Sequence, residues 1–489
     1  MTPLSKKAFW ILFTVLSATT LAVLLSEWAP LIIMAGFVFF VILLMGTDSL
    51  NNLFFFSIPL SIELKIPDLG DLMFPSELIA VVLFCITVVN FAARRKLWRK
   101  EDYSTVTGSL LVLWFGLLVG TCFSNLPMVS AKSLIIFTIY LTTFYLQWNL
   151  YPEESVRKIY RAIVYYFAGL LLVCLLTSIE HASFFFARNM AKNVPPPFFS
   201  DHTIYGACLA FFVPVLYYWI KTATSLLHKI FFTSCFILFT VAIFATYSRA
   251  VWMSLIVVLA VYYLLKIRIP IKKLTTALVC FLILIALFQE TAVEFLSQNR
   301  SDSKSRRAEV TDQLKSVGNI STDVSNLERI NRWKSALSMF YDEPVTGYGP
   351  GTYQFNFISH QNPEDKTPIS VNRASDNFSQ GIGGTAHSQY FLYAAESGVF
   401  AVIGFIACIL YTIKEAFNLY YNSTDEKEKL YIKALLGGYI TFVFHSFFNN
   451  FLDIDKSASL FFLFSAGIIF LAIEKKRALH LTKQQTNGN

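Results

Sequence analysis

Charge is scarce in this chain. Of 489 residues, 15% are Asp, Glu, Lys or Arg, against 55% hydrophobic and 16% aromatic. With a mean hydropathy of +0.54, that scarcity excludes a soluble globular domain. Alternating apolar and polar residues over segments of about ten are also missing, which excludes a transmembrane barrel. The cysteines (85, 122, 174, 208, 235, 280, 408) all lie in apolar runs and none in a polar loop. Neither a disulfide framework nor a zinc site is therefore expected. The glycine-rich GYGPG at 347–351 has no following lysine, so it is not a phosphate-binding P-loop. No small-residue cleavage site clearly follows the first apolar run of MTPLSKKAFWILF, which reads as a membrane span. No repeat of fixed period is visible.

What the chain has instead is long apolar runs, at about 9–26, 29–46, 50–63, 73–93, 107–124, 130–150, 159–178, 203–220, 229–247, 250–266, 273–290, 387–413, 431–451 and 457–473. Most reach the roughly 18 residues needed to cross a bilayer as a helix; the third is short. The expected fold is all-α, a polytopic transmembrane bundle of about 12–14 spans.

Basic residues orient it. Lys6 and Lys7, RRKLWRK (94–100), Arg157, Lys158 and Arg161, Lys221 and Lys229, KIRIPIKK (266–273), the stretch from Lys414 to Lys433, and EKKR (474–477) all fall on one side if fourteen spans are counted. By the positive-inside rule that side is the cytoplasm, so the net charge of +8 is a topology signal, not a nucleic-acid footprint. Two longer segments then face outward, 179–202 and 291–386. The expected organisation is N-terminal spans over 1–290, one large extracytoplasmic loop over 291–386, and C-terminal spans with a cytoplasmic tail over 387–489, integrated as one membrane domain.

Within the large loop, residues 300–326 are polar and read as a loose entry. Leu327, Ile330, Trp333, Leu337 and Phe340 then recur at helical spacing, predicting an amphipathic helix over 326–341 with Asn326 as N-cap and Asp342 and Pro344 as its stop. Residues 359–384 read as loop. Thr385 is the expected cap of a span that begins at 386, which places His387 in its first turn at the outer boundary.

Three residues point toward one place: Arg249 in TYSRAVW, Arg329 on the loop helix, and His387. Charged groups beside membrane spans are costly and often mark function. Each also has a plain structural reading. Arg249 could snorkel at a helix end, Arg329 could be a solvated helix residue, and a histidine at a helix start is commonly structural. Arg332 and Lys334 read first as a solvated face, and Arg188 and Lys192 as weaker anion contacts in the smaller outer loop.

The order of these residues carries more. Arg329, Trp333 and Ala336 give R-x-x-x-W-x-x-A. Pro344, Gly347, Gly349 and Gly351 give P-x-x-G-x-G-x-G. His387 is followed by Glu396 and Gly398 as E-x-G. This pattern resembles the O-antigen ligase and polymerase family of membrane glycosyltransferases, most strongly over about 225–455. SRA at 248–250 resembles that family's Ser-Arg motif, and FFSDHTIYGACLAFF (198–212) matches less specifically. Ser388 stands where the family often has Asn, and the N-terminal half matches only by hydropathy.

The resemblance implies transfer of a glycan from undecaprenyl diphosphate to an acceptor hydroxyl at the outer face of the bacterial inner membrane. It implies inversion, no nucleotide sugar, and no cofactor or obligatory metal. Arg249 and Arg329 would then stabilise the leaving diphosphate, and His387 would take the acceptor's proton or bind the diphosphate. Arg188, Arg332, Trp333 and Tyr348 would be substrate contacts; Tyr353 is a further aromatic, and packing competes as the role of these rings. Lipid A–core, another lipid-linked repeat and a protein hydroxyl stay open as acceptors, making the chain a ligase, a polymerase or an oligosaccharyltransferase. A transporter is the reading from a different class. Against it, the notable charges sit at the outer boundary, whereas a transporter favours charges buried mid-membrane and broken, repeated helices.

Overall fold

The structure, a computed structural model, describes residues 46–66, 70–93, 104–151, 153–268, 324–361 and 384–487. The spans expected at about 9–26, 29–46 and 273–290 lie outside these residues, as do most of the loop entry and residues 362–383.

The described chain is a helical bundle with one small hairpin. A short helix α1 (Thr47–Leu60) leads into strands β1 (Ile62–Ile66) and β2 (Gly70–Phe74), and then α2 (Ser76–Ala93). Next come α3 (Thr105–Cys122), α4 (Pro127–Tyr140, continued by π and 3-10 turns to Leu150), α5 (Ser155–Ser183), α6 (His202–Thr222), α7 (Leu226–Ala245) and α8 (Arg249–Lys266). The loop helix is α9 (Val324–Asp342), followed by the single turn α10 (Tyr353–Asn356). Three helices close the chain, α11 (Gln389–Asn422), α12 (Glu426–His445) and α13 (Asp455–Asn487). Among the described residues nine helices are long and apolar enough to cross a membrane, α2 to α8, α11 and α13. The protein is thus a polytopic all-α membrane protein. Helix α12 packs among them, although Glu426, Lys427, Glu428 and Lys429 make its first turn polar.

Local chemistry sets several helix starts. Ser104 accepts from the Thr107 amide (3.0 Å), Ser225 from that of His228 (3.2 Å) and Asp425 from that of Lys427 (2.9 Å), each satisfying an amide the helix itself cannot. Pro127 opens α4 at a position where its missing N–H costs nothing. Packing then follows size. Helix α3 lies along α11 through Gly116, Ala401, Leu113 and Gly404; a Cβ at Gly116 would sit 2.9 Å from the Ala401 Cα. Close backbone approach through small residues is how membrane helices gain contact where water provides no drive between them. Helix α13 is apolar all round from Ala458 to Phe470, apart from serines, and lies at the centre, against α5, α6, α11 and α12.

The hairpin was not anticipated. Ile62 pairs with Phe74 and Leu64 with Leu72, so the expected third span ends at Leu60 and the chain turns back as strands before α2. Lys456 fastens this hairpin to the bundle. Its ammonium donates to the carbonyls of Ser61 (2.6 Å) and Phe198 and lies 4.6 Å over the Phe199 ring. Asp455 accepts from the Ser76 hydroxyl at 2.8 Å.

One end of the bundle therefore gathers the hairpin, the Ser124 turn, the loop 184–201, the Tyr247 turn, the glycine turn and residues 446–456. The other end carries Lys158 paired with Asp48 (2.6 Å) and Lys475 paired with Glu428 (2.5 Å). Lys158 and Lys475, both expected on the cytoplasmic side, share this second end, and the candidate site belongs to the first.

Candidate functional site

The loop helix α9 forms, but with a different inward face from the one its apolar spacing suggests. Glu328, Asn331, Arg332, Ser335, Ala336 and Met339 are buried, whereas Ile330, Trp333, Leu337 and Phe340 are half-buried. The reason is pairing. The Arg332 Nε donates to Glu328 (3.0 Å), its Nη1 donates to the Thr385 carbonyl (2.9 Å), and the guanidinium lies 4.7 Å from the Phe357 ring centre. A charge satisfied on every side is stable inside, so the polar stripe turns in. Two boundaries also shift. The helix begins at Val324, which leaves Asn326 in the first turn and not at the cap. Helix α11 begins at Gln389 with Ser388 as N-cap.

His387 consequently sits just before that helix, in the left-handed region at φ 51°, with its amide facing the Thr385 hydroxyl at 3.4 Å. A bulky residue rarely adopts this conformation unless its surroundings enforce it, and such outliers concentrate at functional sites. The enforcement is visible. Gln389 donates its amide to the Ser446 carbonyl at 2.8 Å. Arg332 holds the Thr385 carbonyl, and the Trp333 indole N–H points at the His387 carbonyl from 3.5 Å. Trp333 also stacks on Phe391 and tilts against Phe448.

The glycine turn and the E-x-G element complete each other. Glu396 is buried; its carboxylate accepts from the Gly351 amide (2.9 Å) and the Tyr353 amide (2.8 Å), and its carbonyl accepts from Gly349 (2.8 Å). The Val399 amide reaches the Pro344 carbonyl at 2.9 Å, across a break in α11 at Gly398, where φ is 65°. A side chain at Gly398 would collide with the Val345 backbone, and one at Gly349 (φ 106°) would be 2.5 Å from the Ser124 Cβ. Both glycines are required by conformation and by space.

The sequence-read residues fall into two groups. Arg329 is half-buried, one turn before Arg332 and Trp333 on the helix bolted beside His387. Arg249 is half-buried at the start of α8, and Tyr247 just before it donates to the Phe186 carbonyl at 2.9 Å, tying that turn to the loop that carries exposed Arg188. Helix α8 packs along α12, where the Tyr262 hydroxyl donates to the Lys433 carbonyl at 2.6 Å, while Trp333 meets Phe448 just after α12. Arg332 and Tyr348, like Trp333, are expected substrate contacts that have structural partners. Arg332 is 2% exposed and serves as a bolt. Tyr348 hydrogen-bonds His360 at 2.8 Å, its amide donates to the Ala395 carbonyl, and its own carbonyl accepts from Ser124.

Two adjoining cavities went unread in the sequence. One, of about 250 Å³, lies below the glycine turn and is walled by Tyr140, Tyr353, Thr385, Tyr393, Glu396 and Asp453. The other, of about 360 Å³, lies between the hairpin, the loop around Pro196 and Pro197, and the start of α13; its polar walls are Glu63, Glu77, Asp453, Asp455 and Lys456. Tyr140 and Asp453 border both. The available signal was the stretch HSFFNNFLDIDK at 445–456, unusually polar for a short connection between apolar runs. No group of His, Cys, Asp and Glu among the described residues has the arrangement of a metal site.

The family model described as O-antigen ligase matches residues 234–406. No curated protein matches the chain. The matched segment runs from within α7 into α11 and holds Arg249, the loop helix, the glycine turn, His387 and Glu396. Over that segment this multi-pass membrane protein is O-antigen ligase-like.

Proposed function

We propose that the chain is a glycosyltransferase that moves a glycan from undecaprenyl diphosphate to an acceptor hydroxyl at the outer face of the bacterial inner membrane. One observation carries the reading within the family match. The helix bearing Arg329 is fastened to the loop of His387 by Arg332 and Trp333, which supports a cation and an imidazole serving one site. In the reaction the acceptor oxygen bonds to the anomeric carbon as the bond from that carbon to the diphosphate oxygen breaks. The electron pair leaves on the diphosphate, and the acceptor proton passes to the His387 ring. Arg329 and Arg249 neutralise the departing charge, a task suited to guanidinium geometry. Lipid A–core is the acceptor of the ligase reading; a lipid-linked repeat or a protein hydroxyl would make the same chemistry a polymerase or an oligosaccharyltransferase.

The test is transfer by the purified chain from an undecaprenyl diphosphate glycan, with each acceptor class supplied in turn. Both His387→Ala and Arg329→Ala should reduce turnover by about 100-fold or more while the proteins elute and melt like the parent. Activity should persist in EDTA. Full turnover in both variants, or activity lost in EDTA and restored by a divalent metal, would overturn the assigned roles.

A further inference from the structure

The charges around the two cavities differ in sign from those of the proposed diphosphate site. The larger cavity is bordered by Glu63, Glu77, Asp453 and Asp455, with Lys456 as its cation, and Lys456 is already engaged by the Ser61 and Phe198 carbonyls. The smaller adds Glu396. In their ionised form these carboxylates repel phosphate and carboxylate groups. A second observation points to a ligand rich in hydroxyls. Tyr140 is 5% exposed and borders both cavities, yet its hydroxyl has no hydrogen-bond partner among the described residues. A buried phenol of this kind ordinarily finds one. Carboxylates accept from sugar hydroxyls, and Tyr140, Tyr353 and Tyr393 put aromatic rings on the walls. Together the volumes suit an oligosaccharide end more than an acyl chain, whose entry these carboxylates would oppose.

Position gives the cavities a role. The smaller one is bordered by Gly384 and Thr385, within three residues of His387, and shares Tyr140 and Asp453 with the larger. The larger is lined wholly by residues outside the family-matched segment. We propose that the paired cavities form the acceptor-saccharide chamber, which admits a neutral or amine-bearing glycan and excludes one carrying carboxylate or phosphate at its reacting end. This rests on the transfer reading for the word acceptor, but the charge selection is a property of the chamber itself. It adds a specificity device, contributed by this chain's own N-terminal half and 453–456 segment.

The experiment is a binding titration on the purified full chain in lipid nanodiscs with three phosphate-free tetrasaccharides of matched length: a neutral glucan, a glucosamine oligomer and a galacturonate oligomer. The neutral and amine-bearing probes should bind at least about tenfold tighter than the uronate. In Glu63→Gln with Asp453→Asn the ratio should shrink to within about threefold. Glu63 is exposed and both replacements are near-isosteric, so folding is expected to survive; Glu63→Gln alone should move the ratio in the same direction. Tyr140→Phe should weaken the neutral probe several-fold, by about one hydrogen bond. Uronate binding as tight as glucan, no binding by any probe, or a ratio that none of the carboxylate variants moves would each overturn the chamber. Loss of transfer assignment by the His387 and Arg329 variants would instead overturn only the word acceptor, so the two failures are distinguishable.

Discussion

The block from Arg329 to Gly351 with Glu396 and Gly398, and the cavity wall from Glu63, Glu77, Tyr140 and Asp453 to Lys456, use their polar residues in opposite ways. In the first, most of the motif is consumed internally. Arg332 is enclosed by Glu328, Thr385 and Phe357, Glu396 by two amides, and Gly349 and Gly398 by backbone contact. In the second, Tyr140 and Asp453 border open volume. The comparison teaches that density of motif measures how tightly geometry is constrained. Of the patterned residues, His387 is bracketed by contacts from Arg332, Trp333 and Gln389, and Arg329 rides on the helix that Arg332 and Trp333 fasten.

The sharpest way to break that comparison is at Glu396. Glu396→Ala strands the Gly351 and Tyr353 amides in a buried place, and two unsatisfied buried donors at roughly 1–3 kcal/mol each give an expected loss of about 2–6 kcal/mol. Thermal unfolding in detergent should show a large downward shift, with the glycine turn becoming sensitive to protease. An unchanged midpoint would mean that the turn is held by something other than Glu396.

A smaller effect separates two arginines on one helix. Arg332→Lys keeps the charge but cannot reach Glu328 and Thr385 together or stack on Phe357, so it should cost about 2–4 kcal/mol. Arg329→Lys should cost less than about 1 kcal/mol of stability and lower transfer instead. Measured by thermal unfolding and by turnover, the two variants should fall on opposite axes. If both lose stability equally, Arg329 is architectural as well.

Much of the frame was legible because apolar runs of membrane length have few alternatives, and the glycine turn and the histidine were legible as pattern. The inward face of α9 was not, because an apolar stripe normally marks the buried side and only the distant Thr385 and Phe357 make it favourable to bury Arg332. Nor was the bond between the glycine turn and Glu396, whose partners lie 43 and 45 residues apart in sequence. The hairpin was hidden because IELKI and GDLMF are short and continue apolar runs. His387 was placed one turn too deep since Thr385 has the chemistry of a helix cap, while here its hydroxyl faces the His387 amide in a turn ahead of the helix.

The mildest expected effect concerns pH in the cavity wall. Asp453 retains accessible surface because cavity space opens onto it, while the protein packed around the carboxyl pushes its pKa up to about 6. The other ionisable groups at its two cavities are Glu396, Tyr393, Tyr353 and Tyr140 on one side and Glu63, Glu77, Asp455 and Lys456 on the other. A raised carboxyl is neutral below its pKa and anionic above it, so rejection of the galacturonate probe should strengthen as pH rises from 5 to 7.5, by about threefold for one added charge across solvent-filled space. The uronate itself stays ionised over that range, so the change belongs to the protein. In Asp453→Asn the same titration should lose part of its slope while the neutral glucan's affinity stays level throughout. A profile that keeps its slope in that variant would assign the titrating charge to a neighbouring carboxylate and leave Asp453 as a hydrogen-bonding wall.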